Sequence, residues 1–435
     1  VRPEDRFPPT LAAARVRIDA VRPADYARSR NAIDGAVTYL SPYITHGFVS
    51  LPEVLAGVAA RHRLDVQHKF VFELGWRAYF RHVWQHRGDA ILQSLHEGLL
   101  PEQAYVAELP ADIREARTGV PAIDTAVRTL YATGTLHNHA RMWLASYVVH
   151  LRKVHWRTGA DWLVAHLLDG DLASNHLSWQ WVAGTGSHKP YLFNADNVAR
   201  YAPAQWHSTG SVIDQSYETL DAMARSPRPV RSTPQGDGVE EPALRSAPQG
   251  AAAVTATSAA TSLATSAPQA ADVAGRDVWL VHPWALGEPP ADLPHNCLRV
   301  GLWPTEHHDA WPWSPARWAF VGTRMAALTP LRWCASRPAL AQALAGARSV
   351  HTLADPHVSA LLPSPVVQHE PLRLFADVDR PCDSFSTWWS RSTRGAKTLP
   401  DLPGLAALAA LGTAGPLFEP AGGLFTDPTR NESLS

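Results

Sequence analysis

No aromatic residue stands between Tyr217 and Trp279. The stretch between them includes SPRPVRSTPQGDG and APQGAAAVTATSAATSLATSAPQAADVAG, and is rich in Ala, Ser, Thr and Pro. Such residues bury too little surface to offset the entropy lost on ordering them. A chain of 435 residues is thereby divided into two parts, each with its own apolar periodicity. The expected organisation is a multidomain one: a first domain over 1–210, a disordered linker over 211–275, a second domain over 276–395 and a loose tail over 396–435.

The first part reads as all-α. VFELGWRAYFRHVWQH (71–86) and PAIDTAVRTLYATG (121–134) repeat apolar residues at three and four, and RMWLASYVVHLRKV (141–154) does so with a wider apolar face. Gly134 and Gly159 are expected to stop helices, and Asp161 to cap the start of DWLVAHLL. In the second part, VWLVHPWAL (278–286), LRVGLWP (298–304), SVHTLAD (349–355) and VVQHEPLRLF (366–375) are short apolar runs, and they alternate with helical segments such as WAFVGTRMAAL (318–328). That alternation predicts a small α/β layer with parallel strands. Beyond Arg394 only LAALAAL is expected to form a helix.

A net charge of −1 gives no global field for nucleic acid, although residues 1–210 carry a slight basic excess. The three cysteines are widely spaced and all in the second half, which fits neither a zinc motif nor a disulfide framework. VRPEDRFPPT lacks the apolar run of a signal peptide, and no run of eighteen apolar residues occurs, so a cytoplasmic protein without a membrane span is expected.

The 17 tryptophans are mostly expected to fill core. HLLDGDLASNHLSWQW (166–181) is different, because it brings Asp169, Asp171, Asn175, Ser178, Trp179 and Trp181 together. On a helix, Asp171, Asn175 and Trp179 follow one another at single-turn spacing, as do Asn138 and Arg141 in HNHARMW. These polar groups in an apolar domain must bind one another or a polar ligand. A buried ion pair with a few helix caps would use the same residues.

Taken together, TYLSPYITHGFVS (38–50), FELGWRAYFRH (72–82), GVPAIDTAVRTL (119–130), TGTLHNHARM (133–142) and DGDLASNHLSWQW (169–181) resemble the FAD-binding helical domain of the photolyase/cryptochrome family, in the family's own order. The resemblance spans roughly residues 11–201. It implies that Thr38, Leu40 and Ser41 hold the FAD pyrophosphate, with Tyr26 nearby and Phe70, Arg77 and Asn138 also at the cofactor. Arg141 and Asp169 would pair beside the isoalloxazine, Asp171 would accept from the ring, and Asn175 would face N5, where asparagine goes with repair enzymes.

The same resemblance implies that Glu73, Trp76, Asn138, Met142 and Trp181 receive a flipped-out cyclobutane pyrimidine dimer from UV-damaged DNA. An indole offers extruded bases a stacking surface, while Glu and Asn bond their edges. Trp179 and Trp156 take the first two places of an electron relay. The third aligns with Ile113, which carries no radical, and Trp84, Trp143, Trp162 or Tyr105 are the available replacements. The chain departs from the family at His139, at Ala78 and in KPYLFNADNVARY (189–201). Domain order departs too, since the family's α/β antenna domain ordinarily precedes the helical one. The C-terminal α/β segment is at most antenna-like, and no antenna chromophore is assigned. The expected activity is light-driven splitting of cyclobutane dimers by a monomer, with a blue-light sensor or a dark flavoprotein as rivals.

Overall fold

The computed structural model describes residues 3–187, 189–231, 233–248, 266–290, 293–364 and 366–412. The helices that shape the site, in chain order, are α1 (Pro23–Ser29), α2 (Ser41–Thr45), α3 (Lys69–Arg87), α4 (Pro121–Thr133), α5 (Asn138–Ser146), α6 (Trp156–His166) and α7 (Leu172–Ala183). They are followed by α8 (Tyr217–Arg225), α9 (Pro315–Leu328), α10 (Phe385–Ser392) and α11 (Pro403–Ala410).

Local chemistry sets the helix ends. The His68 side chain accepts from Phe70 N at the start of α3, and Gly88, at φ +53°, ends it. Asp171 caps α7 by accepting from Ser174 N, and Gly184 closes it in the left-handed region. Nearly every residue of α7 is buried, which makes it the central helix of the first part. Gly134 ends α4 as expected.

Two expectations fail here. Gly159 lies inside α6, where a Cβ would overlap the six-membered ring of Trp179, so the glycine permits a close helix approach rather than ending a helix. Asp161 lies in the same helix and bonds Arg157 and His176 instead of capping. RMWLASYVVHLRKV is also not one regular helix. After α5 the chain makes a π-helical turn over Tyr147–Leu151, closed by Arg152 N to Tyr147 O at 3.0 Å.

In the second part, β1 (Asp277–Val281), β2 (Leu298–Pro304), β3 (Leu331–Ala335), β4 (Ser349–Leu353) and β5 (Val366–His369) form one parallel sheet in the order β3-β2-β1-β4-β5. The chain leaves β1 toward one side and returns to its other side at β4. This creates a switch point at the carboxyl ends of those strands, the place where open α/β sheets usually put ligands. Here the helical part occupies it. Leu286 N donates to His46 O, and the two His46 ring nitrogens lie 2.6 Å from Pro283 O and 2.8 Å from Leu168 O. One apolar core accordingly joins Val54, Leu74 and Val83 to Leu280, Trp303, Phe385 and Leu402. A second core, containing Ile113, Trp143, Trp156 and Trp179, extends beyond the first part to Ile213 and Leu220.

The expected disordered linker is not one over its described length. Residues 217–225 form α8, and the chain beyond is tied down by Val230 N to Leu151 O and Val239 N to Glu115 O. Glu241 accepts from Trp162 Nε1 at 2.9 Å and meets His166 Nε2 at 3.0 Å and Arg114 at 3.0 Å. These polar bonds supply what the composition lacks in apolar surface. Residues 249–265 lie outside the described residues. The tail is likewise anchored as far as 412, because Leu402 is fully buried and Gly404 N bonds Leu374 O. The remainder, 413–435, lies outside the described residues. Among the described residues no helix is long and apolar enough to cross a membrane, and no cluster of metal-ligating side chains occurs.

Candidate functional site

α2, α3, α5, α6 and α7 enclose a cavity of about 200 Å³ that is partly open to solvent. From α7 and the turn before it come Asp169, Asp171, Ser174, Asn175, Ser178 and Trp179. Asn138, Arg141 and Met142 enter from α5, Arg77 and Phe80 from α3, and Ser41 from the start of α2. The three positions at single-turn spacing on α7 therefore do face one space. Asn175 donates Nδ2 to Ala160 O at 2.8 Å, leaving its Oδ1 as the acceptor toward the cavity. Trp179 lies against Gly159 of α6.

The charges are arranged in two linked groups. Arg141 donates one nitrogen to both Asp169 oxygens at 2.9 Å and its Nε to Leu136 O at 2.8 Å. Burial pushes the Asp169 carboxyl up, but Arg141, Ser41 and Arg77 outweigh it and hold the carboxyl below its usual range. Arg77 bonds Ser41 Oγ at 2.8 Å and Thr45 Oγ1 at 3.0 Å, so the hydroxyl-rich loop is fixed by a guanidinium. Desolvation lowers the Arg77 pKa, with Asp171 and Asp169 opposing it.

The second group was not legible in the sequence. Asp171, whose side chain is fully buried, pairs with Arg81 at 2.6 Å, and Arg81 reaches Asp355 at 3.2 Å. Asp355 meets His357 Nδ1 at 2.6 Å, and His357 Nε2 accepts from Leu172 N at 3.4 Å. Burial raises the carboxyls of Asp171 and Asp355, yet the Arg81 charge and then His357 hold both well below the carboxylate range. The cap residue of the central helix is thus braced from the other half of the chain. The one available signal was Asp355-Pro356-His357 just after a half-buried strand, at the carboxyl edge of a parallel sheet. Arg317 was missed as well: it is buried, donates to Val164 O and Gly170 O, and lies 4.0 Å from the Trp313 ring centroid.

Other expected residues sit beside the cavity rather than in its wall. Leu40 is buried and its N–H donates to Thr38 Oγ1 at 3.3 Å, while Tyr26 packs edge-on against Phe70 at 5.7 Å. Glu73 is held by Arg30 and Lys69, both at 3.2 Å. Within the wall itself, Asn138 Nδ2 approaches Met142 Sδ at 3.7 Å. Trp181 is 43% exposed and lies 5.8 Å from Tyr191. Trp76 stacks on Phe385 of α10 at 4.1 Å and 14°, a contact from the second part that the sequence did not announce. Trp156 is buried and donates Nε1 to Ser94. Ile113, expected at a surface position, is completely buried.

The cavity fits a flavin dinucleotide. Phe80, Leu163 and Trp179 offer apolar surface to a flat ring, and Arg77, Arg141 and the hydroxyls offer donors to anionic oxygens. Residues 70–222 match the family model described as the FAD binding domain of DNA photolyase. Over this region the chain is similar to proteins of the photolyase/cryptochrome family. A deoxyribodipyrimidine photo-lyase of Streptomyces griseus is 36% identical over 165 residues, covering 38% of this chain and 36% of the relative. One from Thermus thermophilus is 37% identical over 199 residues, covering 45% and 46%. A cryptochrome DASH of Idiomarina loihiensis is 28% identical over 217 residues, covering 47% and 48%. A solved Synechocystis cryptochrome aligns over 51% of this chain and 52% of its own, with 25% identity and a TM-score of 0.41. The chain matches less than half the length of these curated relatives.

Proposed function

We propose that the protein is a light-dependent DNA-repair flavoprotein that splits cyclobutane pyrimidine dimers. The observation that carries this reading is the meeting of Asn175, Trp179 and the Arg141–Asp169 pair around one cavity. A reduced FAD held there would supply light-driven one-electron chemistry for opening the dimer's ring. The chain supplies the rest. Ser41 and Arg77 hold the phosphates, Thr38 and Leu40 shape their loop, and Tyr26 and Phe70 close the adjoining wall. Arg141 and Asp169 would orient the flavin ring, Asp171, held ionised, would accept a hydrogen bond from it, and Asn175 would hydrogen-bond it from α7. Asn138 and Met142 at the cavity mouth, with Glu73 and the indoles of Trp76 and Trp181, receive the extruded bases.

One observation favours a second reading, a blue-light sensor without repair. Phe385 already covers one face of Trp76, so that face has no room for a base. Relatives named cryptochrome DASH stand beside those named photo-lyase. The absorption spectrum of the purified full chain tests the pocket: flavin bands are expected, and Arg141→Leu should abolish them. A colourless parent protein that takes up no FAD would remove both readings.

A further inference from the structure

The structure assigns Trp311, in the C-terminal α/β part, as the residue through which electrons enter the helical domain on their way to Trp179. This inference rests on the proposed flavin pocket and names its supply line. Trp179 lines the cavity and lies against Gly159, one helical turn from Trp156 on α6. Trp156 is buried, so it needs a partner nearer the surface. Ile113 cannot serve, being aliphatic and fully buried. Trp84 packs on His357, Trp143 on His139, Phe193 and Trp206, and Trp162 on Tyr131 and His166. Among the described residues none of these three indoles has a ring contact with Trp156 or with the rings around it.

Two lines of rings do leave Trp156. One runs through His155, at 5.8 Å, to Tyr105 at 6.4 Å. The other runs through His176, at 6.2 Å, to Trp311 at 5.5 Å, both contacts edge-to-face. His176 is fully buried and fixed at both nitrogens, with Nδ1 2.9 Å from Leu172 O and Nε2 2.8 Å from Asp161. It is a rigid spacer between two indoles, and Trp311 beyond it is only half-buried. Arg157 lies 5.3 Å over the Trp311 ring and opposes positive charge there, but its ion pair with Asp161 at 2.6 Å places a carboxylate alongside. Tyr105 is the poorer donor, because a phenol loses an electron readily only as it loses its proton, and burial pushes its pKa up.

The electron count closes with a thiol. Trp311 gives one electron to oxidised Trp156, which returns to its neutral state after refilling Trp179. Oxidised Trp311 releases its indole proton to water. A thiolate then returns one electron to Trp311, which regains a proton, and the thiyl radicals pair as disulfide.

The test uses the FAD-loaded full chain under blue light with dithiothreitol, with FAD content measured for each variant. Trp311→Phe is expected to photoreduce several-fold more slowly, with FAD content unchanged and a shorter-lived tryptophan radical by transient absorption. Tyr105→Phe should match the parent and Trp179→Phe should be slow. A parental rate in Trp311→Phe beside a slow Trp179→Phe overturns the entry point alone. Parental rates in both show that Trp179 is not the donor to the flavin and overturn this inference with it, while FAD content decides the pocket separately. A second readout needs no variant: after illumination in air without thiol, mass spectrometry of the parent should place oxygen adducts on the peptide carrying Trp311. Adducts at Tyr105 with none at Trp311 would count decisively against it.

Discussion

Arg81 holds two carboxylates, the fully buried Asp171 at the head of α7 and the partly buried Asp355 after β4. Replacing it with leucine leaves both charges without their main partner, and breaking such a pair costs about 3–5 kcal/mol. Arg81→Leu should lower the urea midpoint by that order with an unchanged slope, and an unaltered midpoint would show the network to be idle. Asn175 acts on chemistry rather than folding. Its Oδ1 faces the cavity, and Asn175→Asp puts an anion where the proposed chemistry brings negative charge, a change worth about 1–3 kcal/mol. Photoreduction rate should change while FAD stays bound; equal rates would take Asn175 away from N5. The family resemblance pointed to Asn175, Arg141 and Asp169, which lie in its matching motifs. Arg81 escaped notice because its partner Asp355 lies in the other half of the chain, and single-turn spacing carries no information about such a pair.

Helix periodicity located α3 and α4, and alternation located most of the sheet. It misread Gly159, because a glycine that lets two helices touch looks the same in sequence as one that ends a helix. Gly159→Ala gains helix propensity of about 1 kcal/mol, but its Cβ overlaps Trp179. Overpacking of that kind costs about 1–3 kcal/mol, so net destabilisation is expected, together with altered tryptophan fluorescence and slower photoreduction. A stabilised variant with parental photochemistry would show that α6 and α7 have slack. The segment carrying Glu241 was misjudged for a related reason: its order comes from bonds to Trp162, His166 and Arg114 rather than from its own surface. Glu241→Ala should expose those groups to exchange and protease before the helices themselves open.

Across the whole molecule, the two halves share one core, with Phe320 stacked on Phe48 and Phe385 on Trp76. A fragment ending near Ala204 loses those partners and should be molten or insoluble rather than a smaller folded domain. Buried histidines add a pH limit. Burial lowers the pKa of His82 and of His150 from 6.5 to about 4, and that of His307 well below 6.5. Below pH 6.5 the unfolded chain therefore binds more protons than the folded one. Stability should fall from about pH 6.5 to 4, by about 1.4 kcal/mol per histidine per pH unit. A flat thermal midpoint across that window would contradict neutral burial. The central claim, a flavin pocket that drives dimer splitting, is tested most directly with an oligonucleotide carrying one cyclobutane thymine dimer and the chemically reduced, FAD-loaded full chain. Blue light should restore the two thymines, with none restored in the dark. A protein that binds and photoreduces FAD yet leaves the dimer intact under light would contradict the repair reading and establish the sensor in its place.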